Sequence, residues 1–258
     1  MEEIWEVHAL KYGSRENRTR ADSFIFDDDH ASPHPIDYFI WVLRNGNGRT
    51  IVVDTGYDAD EARRRGRPID RDPAKALGDM GVDSGSVDTV IITHLHYDHA
   101  GGLQRYPAAT FHVQAAEMAY ATGPCMCEAA LVMPFTAEHV CQMVQHVYGG
   151  RVVFHEGEGA IASGVTVHHT GGHSRGLQVV RVKTAEGYLC LASDASHFYE
   201  NFQKRKPFPI VVDVADMLSG YDTLERLASR PELIIPGHDP LVMERFAPDH
   251  APHIRRLA

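Results

Sequence analysis

The chain has 258 residues, 43% of them hydrophobic and 23% charged, with a formal net charge of −10. That is enough apolar material for one large core or two packed layers, and no run is long enough for a membrane span. The acidic balance argues against RNA, DNA or another polyanion as partner, because phosphate contacts need clustered Lys and Arg.

The start, Met1-Glu2-Glu3-Ile4-Trp5-Glu6, is acidic and lacks a basic region followed by an apolar one, so no secretory signal is expected. Strands are predicted at Trp5–Leu10, Asp37–Leu43 and Thr50–Asp54, the last two joined by the turn Asn45-Gly46-Asn47-Gly48. Between the first two, the polar loop from Asp27 to Pro35 is placed at the border of a site. The basic cluster Arg63-Arg64-Arg65-Gly66-Arg67, followed by Pro68, reads as a solvated loop, and Lys204-Arg205-Lys206 as a short basic run near a pocket mouth. Pro73–Met80 reads as a short helix ended by Gly81, Thr89–Thr93 as a strand, Thr110–Val113 as a strand and Ala115–Ala121 as a helix.

From Gly123 to Gly149 the composition changes to Cys, Met and Phe among helix formers, with a helix at Glu138–Tyr148 whose apolar face is Val140, Met143, Val144 and Val147. Strands follow at Arg151–Phe154, Val165–His169, Leu177–Val182 and Tyr188–Ala192. An amphipathic helix is expected over Val214–Ser229, then a strand at Leu233–Ile235, and a polar, mobile tail from Asp249 to Ala258. Of the four cysteines, Cys125-Met126-Cys127 is too weak a pattern for a metal or redox site. Cys141 and Cys190 read as small apolar fillers, and the reduced state fits a cytoplasmic compartment.

The chemistry is concentrated in Thr93-His94-Leu95-His96-Tyr97-Asp98-His99-Ala100-Gly101-Gly102, which places three histidines and an aspartate within six positions directly after Val90-Ile91-Ile92. A core has no use for that composition. A strand running into a tight loop of imidazole and carboxylate groups suits a two-metal hydrolytic centre, because alternate residues can point to two adjacent ions. Three further strand ends each deliver a polar group: Gly171-Gly172-His173-Ser174, Ala192-Ser193-Asp194 and Ile235-Pro236-Gly237-His238. Among the other histidines, His168, His169, His250 and His253 read as surface or loop residues.

These motifs resemble those of the metallo-β-lactamase-fold hydrolases, and the resemblance runs from Val52-Val53-Asp54-Thr55-Gly56 to Gly237-His238-Asp239. Within that superfamily the chain is most similar to the N-acyl-homoserine lactone lactonases, through His94 to Gly102, Val113-Gln114-Ala115-Ala116-Glu117, Gly171 to Ser174, Asp194-Ala195-Ser196, Glu200-Asn201-Phe202 and Pro207-Phe208. The resemblance implies an αββα four-layer sandwich, a single domain over residues 1–258 with a helical insertion at about 123–149. It implies one Zn²⁺ held by His94, His96 and His173 and a second by Asp98, His99 and His238, with Asp194 bridging. The N/O ligand set also admits Mn²⁺, Fe²⁺ or Co²⁺. Asp54 is expected behind the ligands, orienting a group of the metal loop.

The implied reaction is the opening of an N-acyl-homoserine lactone, or a related small lactone, by attack of a bridging hydroxide, with Asp98 as proton shuttle. In the lactonases the residue three beyond the bridging aspartate is a tyrosine that contacts the substrate carbonyl. Here His197 stands there and Tyr199 follows, so the donor is His197 or Tyr199. Met126, Met133 and Phe135 of the insertion are candidate substrate contacts, together with His197. Two other readings remain: a metallo-hydrolase for a thioester, an amide or a different lactone on the same centre, and a metal-binding protein without turnover. The sequence leaves the oligomeric state open.

Overall fold

The architecture was examined in a computed structural model that describes residues 2–27 and 29–258; Met1 of the acidic start and Asp28 of the acidic loop lie outside the described residues. Strand β1 (Trp5–Arg15) pairs antiparallel with β2 (Ile36–Asn45), and β2 with β3 (Thr50–Val53). Asp58 caps helix α1 (Ala59–Arg65) and Asp72 caps α2 (Pro73–Asp79), each accepting two backbone N–H groups of the first turn. Strand β4 (Thr89–Ile91) runs into the histidine loop, which winds into the single turn α3 (Tyr97–Ala100); β5 (Thr110–Gln114) and α4 (Ala115–Ala121) follow.

The segment predicted as an insertion holds α5 (Ala129–Val132) and α6 (Ala137–Tyr148), after which β6 (Val152–His155) completes the first sheet's parallel run. The second half contributes β7 (Glu158–Ala162), β8 (Val165–His169), β9 (Gln178–Thr184), β10 (Gly187–Ser193), α7 (Tyr199–Gln203), α8 (Val214–Leu227) and β11 (Ile234–Pro236). Helix α9 (Leu241–Arg245) and strands β12 (Pro248–Asp249) and β13 (Ala251–Arg256) end the chain. The eight-stranded sheet has the order β12-β13-β1-β2-β3-β4-β5-β6 and the five-stranded sheet β11-β10-β9-β8-β7. The two sheets face each other across the buried apolar residues of β1, β2, β9 and β10, giving the αββα sandwich expected from the motifs. Strand β2 is buried on both faces along Ile36–Leu43, so it carries no polar alternation.

Several expectations are corrected. The tail is not loose: β13 pairs with β1 in the register His8 with Arg256 and Leu10 with Ile254, Ile254 and Leu257 are buried, and His8 Nε2 lies 3.0 Å from Asp249 Oδ2. Arg63, Arg64 and Arg65 lie on helix α1, where Arg64 and Arg65 both pair with the buried Glu61. The buried face of α6 is His139, Val140 and Met143, whereas Val144 and Val147 are half-exposed. His168 is buried rather than on the surface, Cys190 is buried as expected, and Cys141 is exposed.

Candidate metal centre

The ends of β3, β4, β10 and β11 meet at one edge of the two sheets, and there the polar motifs converge. Asp54, just past β3, adopts a left-handed backbone with φ of 61°, uncommon for a residue other than glycine. That geometry turns its buried carboxylate back to accept Thr93 N–H and Thr93 Oγ1–H, each at 2.8 Å, and to face His99 Nδ1 at 2.8 Å. One carboxylate therefore braces both ends of the histidine loop, the role the sequence assigned to it. A second buried carboxylate, Glu117, joins this loop to the next: it accepts Leu95 N–H at 2.9 Å on Oε1, and Ser174 Oγ–H at 2.6 Å and Gly176 N–H at 2.9 Å on Oε2.

His173 arrives by a different device. Gly172 has φ of 81°, and a Cβ there would lie 2.6 Å from the backbone N and Cα of Met217, so only glycine lets the loop approach α8 this closely. His173 Nδ1–H then donates to Ile210 O at 2.7 Å, and His238 Nδ1–H donates to Asp37 O at 2.8 Å. With Nδ1 protonated, both rings present an Nε2 lone pair inward.

At the centre lies Asp194, whose two oxygens face different partners. Oδ1 is 3.0 Å from His238 Nε2 and 3.2 Å from His99 Nε2; Oδ2 is 3.1 Å from His173 Nε2 and 3.0 Å from His197 Nε2. The ligand atoms of His94, His96 and His173 lie within 4.8 Å of one another, as do those of Asp98, His99 and His238, those of His94, His99 and Asp194, and those of His173, Asp194 and His197. Although Asp194 Oδ1 is near two imidazoles, it makes no hydrogen bond, and neither does Nε2 of His94 or of His99; all three atoms are buried. Unpartnered buried polar atoms are costly. Three of them converging from the loop after β4 and the end of β10, in an N/O donor set, fit divalent metal ions.

The electrostatics divide the cluster: against burial, Asp194, Asp54 and Asp98 hold the His99 pKa well above the usual range, and Asp194 raises that of His238. Burial and neighbouring imidazoles push the His94 and His96 pKa values well below the usual range, which keeps their rings neutral and able to ligate. At Asp194 burial alone would raise the pKa, but His197, His238, His99 and His173 outweigh it and hold the carboxyl well below the usual range. Burial pushes His197 down to about 3, so that ring is neutral at physiological pH.

All seven residues anticipated as ligands are therefore brought together, and His197 joins them. Its ring stacks on Phe208 with centroids 3.4 Å apart and planes 6° from parallel. The cleft over the cluster has a volume of about 480 Å³ with its open mouth and is lined on one side by Tyr38, Tyr97, Met133 and Pro134. The Phe135 ring is 4.6 Å from that of His96, and Tyr97 N–H donates to Pro134 O at 2.9 Å, so the 123–149 segment docks on the histidine loop. Three expected site residues are elsewhere: Phe135 packs on the His96 ring without lining the cleft. Tyr199 is buried under Arg245 and faces a separate hollow beside Asp239, and Met126 lies outside the cleft lining. Residues 27 and 29–35 and residues 204–206 also stay outside that lining; Arg18 and Ile36, flanking the acidic loop, enter it instead. Arg67, read as part of a solvated basic loop, lines the cleft, and no motif marked Arg15 or Arg18, which are remote from the histidine motif along the chain.

The sequence profile of the Metallo-beta-lactamase superfamily matches residues 36–238. The chain belongs to the metallo-β-lactamase superfamily. As a hydrolase of that superfamily it is 28% identical to the N-acyl homoserine lactonase AttM of Rhizobium johnstonii over 69% of this chain and 68% of that protein. It is 29% identical to the N-acyl homoserine lactonase of Bacillus thuringiensis over 62% of this chain, spanning 59% of that protein's length. Its fold superposes on an N-acyl homoserine lactone hydrolase solved with the product N-hexanoyl-L-homoserine at its catalytic metal centre. That likeness has a TM-score of 0.78 and 20% identity, and covers 96% of this chain and 98% of the other. Among the described residues no helix is long and apolar enough to cross a membrane.

Proposed function

We propose that this hydrolase works with two divalent metal ions, Zn²⁺ being the best match to the donor set, and opens the ring of an N-acyl homoserine lactone or a related small lactone. The observation that carries this reading is the convergence of four histidine and carboxylate groups around Asp194, with buried ligand atoms left unpartnered. His94, His96 and His173 would hold one ion, Asp98, His99 and His238 the other, and Asp194 both, one oxygen to each side. Bound there, such ions supply an acidified water and a polarised carbonyl.

The remaining steps fall to the chain's own groups. Asp98, at the cleft wall, carries the proton to the departing ring oxygen. The neutral ring of His197, held flat against Phe208, has one N–H to give; it faces Asp194 Oδ2 at 3.0 Å and would turn to the carbonyl oxygen once metal ions engage that carboxylate. Tyr199 has no part, because its side chain lies outside the cleft. Met133 and Pro134 form the apolar wall available to an acyl chain, with Phe135 packed behind them on the His96 ring. Histidine in place of the tyrosine hydroxyl favours a second reading in which the same centre acts on a different carbonyl compound. Proton release by zinc-loaded protein on N-acyl homoserine lactones of short and long acyl chain separates the two. Chelator-sensitive ring opening is expected; no proton release from fully metallated protein would overturn the lactone assignment.

A further inference from the structure

The cleft wall beyond the metal cluster is cationic. Arg15, Arg18 and Arg67 all line it, and none of the three makes an ion pair with a carboxylate among the described residues. Several other arginines of this acidic chain do find carboxylates: Arg20 pairs with Asp27 and Glu200, Arg65 with Glu61, Arg205 with Asp222 and Arg230 with Glu186.

Arg18 is the most telling of the three. It is 7% exposed, its Nη2 donates to Asp22 O, and its Nη1 is buried with no partner. Its guanidinium carbon lies 5.6 Å from the Phe208 ring, on which His197 stacks, and His197 is itself 3.0 Å from Asp194. One aromatic ring thus separates the unpaired guanidinium from the reacting centre. Arg67 donates to Tyr97 Oη, and Arg15 is half-buried without a hydrogen-bond partner for its side chain among the described residues. The three charges also crowd one another: burial lowers the Arg18 pKa, the charge of Asp22 opposes that, and the charges of Arg15 and Arg67 lower it further. A buried cation with no direct ion pair, beside two of like sign, is unfavourable unless an anion joins it. Guanidinium forks match the planar oxygens of a carboxylate, singly or as pairs of parallel hydrogen bonds.

Building on the lactone-opening assignment above, we infer that the substrate carries an anionic carboxylate in addition to the carbonyl that is attacked, and that Arg18, with Arg15 and Arg67, binds it across the Phe208 ring from the metal cluster. A neutral acyl lactone leaves these three cations unmatched. A compact carboxylated lactone places its ring over Asp194 and its carboxylate against Arg18.

The test compares γ-butyrolactone with γ-butyrolactone bearing a γ-carboxylate, and the binding of their ring-opened products, 4-hydroxybutyrate and 2-hydroxyglutarate, to the full-length metal-loaded protein by calorimetry. Each product brings one carboxylate from the ring; only the second brings another. One or two added charge-assisted hydrogen bonds correspond to roughly 10- to 100-fold tighter binding of 2-hydroxyglutarate, weakening as salt is raised. In Arg15→Gln, which changes a half-exposed residue and tests the site without disturbing the core, and in Arg18→Gln, this preference should collapse toward unity through KM and Kd. Arg18→Lys, which keeps the charge without the fork, should retain part of it. Equal binding of the two products by the wild-type protein, or an undiminished preference in both glutamine variants, would overturn the inference. If neither lactone is opened the lactone reading fails, while the product titration still decides the anion site.

Discussion

Glu117 is the residue whose loss should separate the scaffold's contribution from that of the ligands. Its carboxylate accepts from Leu95, which sits between His94 and His96, and from Ser174 and Gly176, which flank His173 on the other loop. Gly176 permits the contact, because a Cβ there would lie 2.1 Å from Glu117 N. Burial raises the Glu117 pKa, but its donors pull it back, and they select the carboxylate because a protonated oxygen would face an N–H or O–H. In Glu117→Gln the amide must turn its NH₂ toward either Leu95 N–H or Gly176 N–H. At least one buried backbone donor is then unpaired, at about 1–3 kcal/mol, and the other bonds lose their charge assistance, for a total of about 2–4 kcal/mol. For a chain of this length each kcal/mol lowers Tm by about 2–4 °C, so unfolding in the presence of chelator should occur roughly 5–15 °C earlier. Because the strap sets the separation of the loops bearing His94, His96 and His173, zinc affinity measured by competition with a chromophoric chelator should fall about 10- to 100-fold. An apo Tm within about 1 °C of wild type, together with unchanged zinc affinity, would refute the reasoning.

Asp194→Asn should lower bound metal below two ions per chain and abolish turnover, as read by metal analysis and ring opening on the same sample; full activity would exclude a central role for Asp194. His197→Phe keeps the stack on Phe208 while removing both ring nitrogens, so kcat should fall roughly 100-fold with metal content intact; an unchanged rate would remove His197 from the chemistry. Gly172→Ala places a Cβ against Met217 at φ of 81° and should destabilise the fold by at least about 2 kcal/mol, measured by urea denaturation. For pH dependence, the Arg20 guanidinium beside Glu200 lowers that carboxyl to about 2, against an unfolded value of about 4.3. A depressed carboxyl stabilises the fold above its unfolded pKa and loses that contribution as pH falls through the folded value. Glu200→Gln should therefore be less stable than wild type at pH 7, with the gap closing between about pH 4.5 and 2; a gap independent of pH would show that the Arg20 pair contributes nothing.

The parts of this architecture written locally were readable from the sequence. Val90-Ile91-Ile92 followed by three histidines marks a buried strand opening into a polar loop, and the later strand ends repeat the pattern; the ligand set and the sandwich then came from the family these motifs resemble. Helix α1 was hidden because its arginines read as a solvated run, although Asp58, Asp60 and Glu61 form a good N-terminal capping sequence. Strand β7, Glu158–Ala162, was missed because it is a short edge strand with exposed residues and no alternation. Strand β13 was missed because its identity depends on β1, more than 240 residues away in the chain. The arginine-lined wall, the displacement of Tyr199 and the Glu117 strap are tertiary facts. Single charged residues carry no periodic signal, and their meaning appears only when distant loops meet.

The account's central claim, that the cluster around Asp194 is a two-ion centre for lactone opening, is tested most directly by adding Zn²⁺ stepwise to metal-free protein while following proton release on a lactone. The account predicts that turnover rises with occupancy, saturates at two ions per chain and disappears on chelation. Turnover that persists in chelated protein, or two ions bound with no lactone opened, would contradict it.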